Sequence, residues 1–161
     1  MGEMFLKLDG IEGESQDFAH GGEIEILSWN WDTHNTVRWD VNQGGQSTKV
    51  DVQHIFLNKI CDKASVTLYQ CCVTGKHIKN GTITCRKNDG DQKVEYLIVK
   101  LTDIMVTKVS FEGDGEQQAL KETVGLSFAQ FRLDYKVQND TGTAGGFKGF
   151  EFNVQKQHGH S

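Results

Sequence analysis

The chain has 161 residues, a formal net charge of −5, and 37% apolar and 24% charged residues. This length is typical of one domain that buries a sizeable core, and the composition excludes a disordered or fibrous chain. Charges of both signs are spread along the sequence, with no basic run that would follow a phosphate backbone. We therefore expect a single domain over residues 1–161, with neither nucleic acid nor an anionic membrane as a partner.

The first residues, Met1–Leu8, have neither the basic start nor the apolar segment of a signal peptide. No stretch of the sequence is long and apolar enough to span a bilayer as a helix. We expect the chain to fold in the cytoplasm without membrane insertion. If it is secreted, the export route must accept a folded protein without a signal peptide.

Residues 23–31 predict a strand whose alternation changes phase. Ile24 and Ile26 fall on one face, whereas Leu27 and the two tryptophans that follow it fall on the other. Such a shift is typical of a bulge or bend that curves a sheet towards closure. If Trp29 and Trp31 face the core, alternation places Ser28 and Asn30 on the opposite face.

The segment from Asp32 to Lys49 joins two predicted strands and is longer than most loops of compact domains, so we expect it to be functional or mobile. Its centre alternates apolar and polar residues around a tryptophan, a residue type enriched at interface anchors. We expect this arm to contact a neighbouring copy. The alternative is that it folds back on its own barrel. The predicted contact residues are Val37, Arg38, Trp39, Val41 and Gln43.

One helix is predicted after the arm. Asp62 or Ser65 can cap its start, and Gly75 lies where a left-handed residue would end it. The apolar residues at helical spacing between these ends are Leu68, Cys71 and Cys72.

A hairpin follows the helix. Thr82–Lys87 and Lys93–Lys100 flank Asp89-Gly90, a typical turn pair. The run Tyr96–Val99 has no polar face, so we expect a helix or another subunit to cover its second side.

The last strands show one apolar face each, with a phase slip between Phe128 and Phe131 that predicts a second bulge or bend. The apolar positions are Phe131, Leu133, Tyr135 and Val137 in residues 130–138, and Phe150, Phe152 and Val154 near the end. Proline is absent from the sequence, which leaves strand edges without a common form of protection against pairing. The sequence thus predicts a mainly β fold, a small closed barrel or two-sheet sandwich with one helix packed on it and a long protruding loop.

No catalytic, cofactor or metal site is predicted. The sequence has no nucleophile elbow, zinc-protease motif or glycine-rich phosphate loop. Its four cysteines have no ligand spacing and are expected to be buried thiols. His158 and His160 are expected in a solvated tail. The acidic turn around Asp114 lacks the remaining ligands of a calcium loop. We do not expect an enzyme.

Several segments, in order and spacing, resemble the haemolysin-coregulated protein (Hcp) family, the tube subunits of bacterial type VI secretion. The resemblance extends from Met4 to about Gln155. The matching segments are Met4–Leu8, Ile11–Ser15, Trp29–Trp31, Gly75–His77, Val94–Val99, Leu126–Gln130 and Asp134-Tyr135.

This resemblance implies a β-barrel that forms a hexameric ring with a central lumen. Rings would stack into a tube propelled by a contractile sheath with a spike at its tip, and the lumen would hold and stabilise effector proteins. It implies that the arm at Asp32–Lys49 reaches towards neighbouring rings. Because alternation places Ser28 and Asn30 on the face opposite the core, we expect these two residues to line the lumen. A different class of function, a monomeric or dimeric β-sandwich that binds carbohydrate through Trp39, stays open at this point.

Overall fold

A computed structural model describes residues 2–42, 44–138, 144–156 and 158–160. The elements in these parts of the chain are β1 (Glu3–Leu8), β2 (Ile24–Ile26), β3 (Ser28–Asn30), β4 (Thr33–Asp40), β5 (Gly44–Val52), β6 (Ile55–Ile60), α1 (Ala64–Thr74), β7 (His77–Asp89), β8 (Gln92–Glu112), β9 (Lys121–Gln138), β10 (Ala144–Asn153) and β11 (His158–His160).

The main sheet curves into a nearly closed barrel. β1 pairs with β2 and β7, β7 with β8, and β8 with β9, all antiparallel. β9 in turn pairs with β6, and β6 with β3. Because β3 follows β2 in the chain, this series of pairs returns to its starting point. The prediction of a mainly β, barrel-like fold with one helix is confirmed.

The predicted phase shift near Ile26 is confirmed as a change of strand partner. Ile26 pairs with Met4 of β1, whereas Ser28 pairs with Asn58 of β6. Leu27 lies between them, and its N–H donates to the backbone oxygen of Asn58 at 2.8 Å. The chain therefore turns a corner of the barrel at Leu27 without losing a backbone hydrogen bond there.

The second predicted slip in alternation is also present, but as a change of strand partner and not as a bulge, because β9 stays in register with β8 from Phe128 to Phe131. The first part of β9, up to Leu126, pairs with β6, and the part after Ala129 pairs with β10. Phe128 and Phe131 are both buried, and Trp31 packs edge-on against each, with ring centroids 5.6 and 4.8 Å away. The slip in alternation thus lets both phenylalanines reach the interior.

Helix α1 covers part of the core and packs along β8. Leu68 and Cys71 are buried, and Gly75 ends the helix in a left-handed conformation with φ 68°. The N-cap residue is Lys63, which makes no side-chain cap hydrogen bond, so neither predicted capping residue occupies that position, although both lie close to it. The Asp62 carboxylate accepts a hydrogen bond from the Ala64 N–H at 3.0 Å, and Ser65 Oγ accepts one from the Asp62 N–H at 3.0 Å.

The hairpin of β7 and β8 is confirmed, with Asp89 opposite Gln92 and a two-residue turn in which Gly90 has φ 61°. In the run Tyr96–Val99, Val99 is buried and the three residues before it are half-buried. The chain itself therefore leaves the second side of this run partly open, and its cover by a partner stays a prediction.

The predicted apolar faces of the last strands are only partly correct. Tyr135 is 47% and Phe150 is 41% exposed. The reason lies in the topology: this half of β9 pairs with β10, which lies outside the closed series of strands, so no opposite wall covers it.

Two further predictions are wrong. Cys61 is exposed, because it lies in the connection between β6 and α1, and Cys72 is only half-buried, although Cys71 and Cys85 are buried as expected. Residues 158–160 are not a frayed end of the chain. They form β11, in which His158 and His160 pair with β10.

Candidate functional site

The predicted arm is a separate two-stranded sheet. β4 and β5 pair with each other and, within the described residues, with no other strand. Trp39 is 79% exposed and Val41 fully exposed, while Val37 and Arg38 are also exposed. The alternative in which the arm folds back on its own barrel is therefore wrong for these residues. Gln43 lies outside the described residues.

Trp39 lies across the arm rather than free in solvent. Its partner on β5 is Gly45, and a Cβ added at Gly45 would lie 2.7 Å from Trp39 Cζ3. The ring therefore covers the glycine backbone, which limits its rotamers. A large aromatic side chain held in this way loses less conformational entropy when a partner covers it.

The outer face of β3 and β6 carries an uncharged polar row. Asn58 Nδ2 donates to Ser28 Oγ at 2.9 Å, and Thr123 Oγ1 donates to Asn58 Oδ1 at 2.8 Å. Ser28 and Asn30 are exposed, whereas Trp29 packs against the core. The structure thus places Ser28 and Asn30 together on the face away from the core, as alternation predicts. A lumenal role for them stays a prediction.

A second cluster escaped the sequence analysis. It is built around residues 14–22, the connection between β1 and β2, which we term the strap. Backbone hydrogen bonds close its base: the Ser15 N–H donates to Glu23 O at 3.0 Å, and the Gly22 N–H donates to Ser15 O at 2.9 Å. The strap therefore lies against the barrel as an ordered loop.

Phe5 lies at the centre of this cluster. It is 3% exposed although it points away from the main core. His20 stacks on one side, with ring centroids 4.5 Å apart, and the Arg86 guanidinium lies 5.0 Å from the ring centroid. The sequence contains a signal that Phe5 is covered, because Phe5 alternates with Met4 and Leu6 and therefore lies on the otherwise polar face of β1.

Arg86 fastens the strap to the barrel. Its guanidinium donates to both carboxylate oxygens of Asp17, at 2.6 and 2.9 Å, and to Glu3. The hydrogen bonds from Arg86 hold the pKa of both carboxyls, Glu3 and Asp17, below their ordinary values. In return, the hydrogen bonds to Asp17 and Glu3 raise the pKa of Arg86. The pairs remain ionised at every pH at which the protein is expected to work.

His20 fastens the strap a second time. Nδ1 lies 2.6 Å from Glu23 Oε2, and Nε2 lies 2.6 Å from Glu95 Oε1 on β8. Burial opposes the charged imidazole, but the hydrogen bonds to Glu95 and Glu23 outweigh it, and the pKa of His20 is raised above its ordinary value.

The strap displays Phe18 to solvent. The Asp17 carboxylate accepts hydrogen bonds from the Ala19 and His20 N–H groups at 3.0 and 3.1 Å, which forms a tight turn, and Phe18 at its tip is fully exposed. Beside it lies an open cavity of about 560 Å³. Its lining includes Phe18, Arg86, Lys93, Ile98 and Phe147.

The described part of the chain contains no group of three or more side chains that could hold a metal ion. Within that same part, no helix has the length and apolar character needed to cross a membrane. The acidic turn after β8 is stabilised by its own side chain, because Asp114 Oδ1 accepts a hydrogen bond from the Glu116 N–H at 3.0 Å.

The chain is similar to proteins of known family. Residues 5–135 match the family model described as type VI secretion system effector, Hcp. Protein hcp1 of Pseudomonas aeruginosa is 38% identical over 144 residues, which cover 89% of each chain.

Solved structures have the same fold. Hcp1 from Salmonella typhimurium is 34% identical with a TM-score of 0.79, and 99% of each chain is covered. A structure described as a type six secretion system protein is 25% identical with a TM-score of 0.91, covering 99% of this chain and 100% of the other. Hcp proteins are structural, secreted components of type VI secretion and not a known enzyme family. From the family match over most of its length and from these relatives, we conclude that the chain belongs to the Hcp family of the type VI secretion system.

Proposed function

We propose that the chain is a tube subunit of type VI secretion that acts by assembling with identical copies. Six copies form a ring, and rings stack into a tube whose partners are the spike, the contractile sheath and the effector proteins that it carries. The subunit assembles in the cytoplasm and leaves the cell folded, without a signal peptide. It is a single domain that needs no cofactor and catalyses no reaction.

The exposed arm is the observation that carries this proposal. Val37, Trp39 and Val41 present apolar surface that the chain does not cover, on a hairpin that projects from the barrel. Exposed apolar side chains grouped in this way are typical of protein interfaces. Contacts of one surface with a different surface of the next copy produce a ring when the rotation closes and a filament when it does not.

The uncharged polar row supports the assignment of an inner wall. Ser28, Asn58 and Thr123 satisfy one another through hydrogen bonds, so this row stays wet, although Lys108 lies over Phe56, the cross-strand partner of Asn30, on the same face. A lumen that accepts folded cargo needs a wet wall of this kind. We therefore assign Ser28 and Asn30 to the lumen wall and the arm, including Arg38 and Gln43, to contacts between copies.

The first experiment measures the mass of the assembly. Size-exclusion chromatography with light scattering should give about six times the 18.0 kDa of one chain, and negative-stain images should contain annular particles. A mass of one or two chains at high concentration, without rings, would contradict the proposal and favour a small ligand-binding module instead.

The second experiment tests the lumen wall. Asn30→Trp places a bulky side chain on the exposed face of β3 and should reduce retention of cargo proteins, while secretion of the subunit continues. Asn80→Trp serves as the control, since Asn80 is also exposed but lies on β7. Equal loss of cargo retention and subunit secretion in Asn30→Trp would count against a lumenal position.

A further inference from the structure

The strap is held to the barrel by two devices that respond differently to pH. The first, Arg86 with Asp17 and Glu3, has a permanently charged guanidinium. The second, His20 with Glu23 and Glu95, depends on a side chain that ordinarily changes its charge near neutral pH. The two attachments use different residues of the barrel, Arg86 on β7 and Glu95 on β8, so one can fail while the other holds.

The geometry at His20 requires two donors. Each ring nitrogen lies 2.6 Å from a carboxylate oxygen, and an ionised carboxylate can only accept a hydrogen bond. The imidazolium has two N–H groups and satisfies Glu23 and Glu95 together. Neutral imidazole has one N–H and one lone pair, so one of the two carboxylates must face a lone pair at this distance.

We propose that His20 is a proton-operated latch, which fastens the strap to β8 through Glu95 when the imidazole is charged and releases it when the imidazole is neutral. Release leaves the Arg86 attachment intact. It therefore loosens the far half of the strap, residues 18–22, without unfolding the barrel. Phe18 lies on this half, so its presentation to a partner changes with pH.

The neighbouring charged groups are compatible with this assignment. The strap contributes Asp17, β1 contributes Glu3, and the segment before β2 contributes Glu23. β7 contributes Arg86, and β8 contributes Lys93 and Glu95. Of these residue types, only histidine ordinarily changes its charge between pH 6 and pH 9. A transition in that range would therefore be due to His20.

The direction of the pH effect follows from the raised pKa of His20, which reflects hydrogen bonds to Glu95 and Glu23 that outweigh burial. The folded chain binds the proton of His20 more tightly than the unfolded chain does. The latch therefore contributes its full stabilisation below the pKa of a free histidine, about 6.5. Its contribution is lost as the pH rises through the higher pKa of the latched side chain.

Hydrogen–deuterium exchange on the full chain tests the latch. The Gly22 and Glu23 amides, which donate hydrogen bonds to the backbone oxygens of Ser15 and His20, report the opening of this half of the strap. After correction for the chemical exchange rate, we expect opening to be several-fold more frequent at pH 8.5 than at pH 6, because the raised pKa of His20 keeps the latch charged at the lower pH. Amides of the β7 and β8 hairpin should show no such change.

Two variants and a control complete the test. His20→Gln should abolish the pH dependence, whereas His77→Gln, at an exposed histidine on β7, should retain it. Glu95→Gln keeps an oxygen acceptor without the charge and should move the transition to lower pH. Equal corrected exchange at both pH values in the unmodified chain, or unchanged pH dependence in His20→Gln, would overturn the proposal. If His20→Gln does not fold, an unmoved transition in Glu95→Gln overturns it alone.

Discussion

Lys59 and Glu122 form an ion pair inside the barrel, with Nζ 2.7 Å from Oε2 and both side chains fully buried. Ser65 Oγ contacts the same two groups, and Asp62 Oδ1 lies 2.9 Å from Nζ. The cluster therefore connects β6 and β9 to the first turn of α1. Removing a charged side chain from water is costly, so a buried ion is tolerated only when its oppositely charged and hydrogen-bonding partners are present.

Removing one partner should destabilise the fold strongly. Lys59→Met leaves the Glu122 carboxylate buried without a cation, and we expect the free energy of unfolding to fall by about 3–5 kcal/mol. Lys59→Met with Glu122→Leu should recover part of this loss, since Glu122 no longer leaves a carboxylate buried without a cation, whereas Asp62 still lacks its partner. Urea unfolding at one fixed protein concentration measures both, because assembly adds to apparent stability. Equal losses in the single and double variants would show that the two residues do not act as a pair.

Asp17 should contribute to stability in a pH-dependent manner. The pKa of its carboxyl is lowered chiefly by the hydrogen bonds from Arg86, so the contribution is present above the ordinary carboxyl pKa of about 4 and is lost as the pH falls through the lower folded value. Asp17→Asn should therefore be less stable than the unmodified chain at pH 7. The difference should shrink below about pH 4. A difference that stays constant across acid unfolding curves would contradict this explanation.

Trp39 should govern contacts between copies. Trp39→Ala removes the largest apolar side chain of the arm and should weaken assembly by at least tenfold in concentration, which corresponds to about 1.4 kcal/mol, a modest loss for an aromatic anchor. Trp39→Phe, which retains an aromatic ring, should assemble more strongly than Trp39→Ala. Light scattering over a dilution series compares the three proteins. Identical curves would exclude the arm as the contact.

Gly45 should control the position of the Trp39 ring. Gly45→Ala introduces a Cβ 2.7 Å from Cζ3, so the ring must leave the surface of β5. We expect a change in tryptophan emission that disappears when Trp39→Phe is added. The barrel should be unaffected, because β4 and β5 pair only with each other among the described strands. An unchanged emission spectrum would mean that the ring does not lie over Gly45.

Local sequence patterns predicted the fold well where the backbone conformation and the burial pattern indicate the same structure. The turn at Gly90, the end of α1 at Gly75 and the phase shift at Leu27 each have a residue-level cause that the sequence displays. The apolar alternation at Tyr135 was misleading, because periodicity identifies a face but not whether the same chain covers it. Periodicity likewise identified the face of the strand that carries Ser28 and Asn30. It could not identify what that face borders.

The strap was beyond the reach of the sequence because its partners are distant in the chain. Arg86 meets Asp17 and Glu3, and His20 meets Glu95, across separations that only the closed barrel removes. A single histidine or arginine forms no recognisable sequence motif when the carboxylates that it contacts lie on other strands. Phe5, an apolar residue in the polar phase of β1, is the one local signal of a second small core.

The corner at Leu27 also determines where further strands can join this protein. On both sides of that seam, backbone donors and acceptors are already used within the chain, by Ile26 with Met4 and by Leu27 and Ser28 with Asn58. An incoming strand cannot displace these hydrogen bonds without opening the corner, so a copy that meets the wall there must use side chains, whose contacts are reversible and selective. Growth by edge-to-edge hydrogen bonding, the route to amyloid-like aggregates, is left to the second edges of β2 and β3, each of which pairs with a single strand in the described part of the chain.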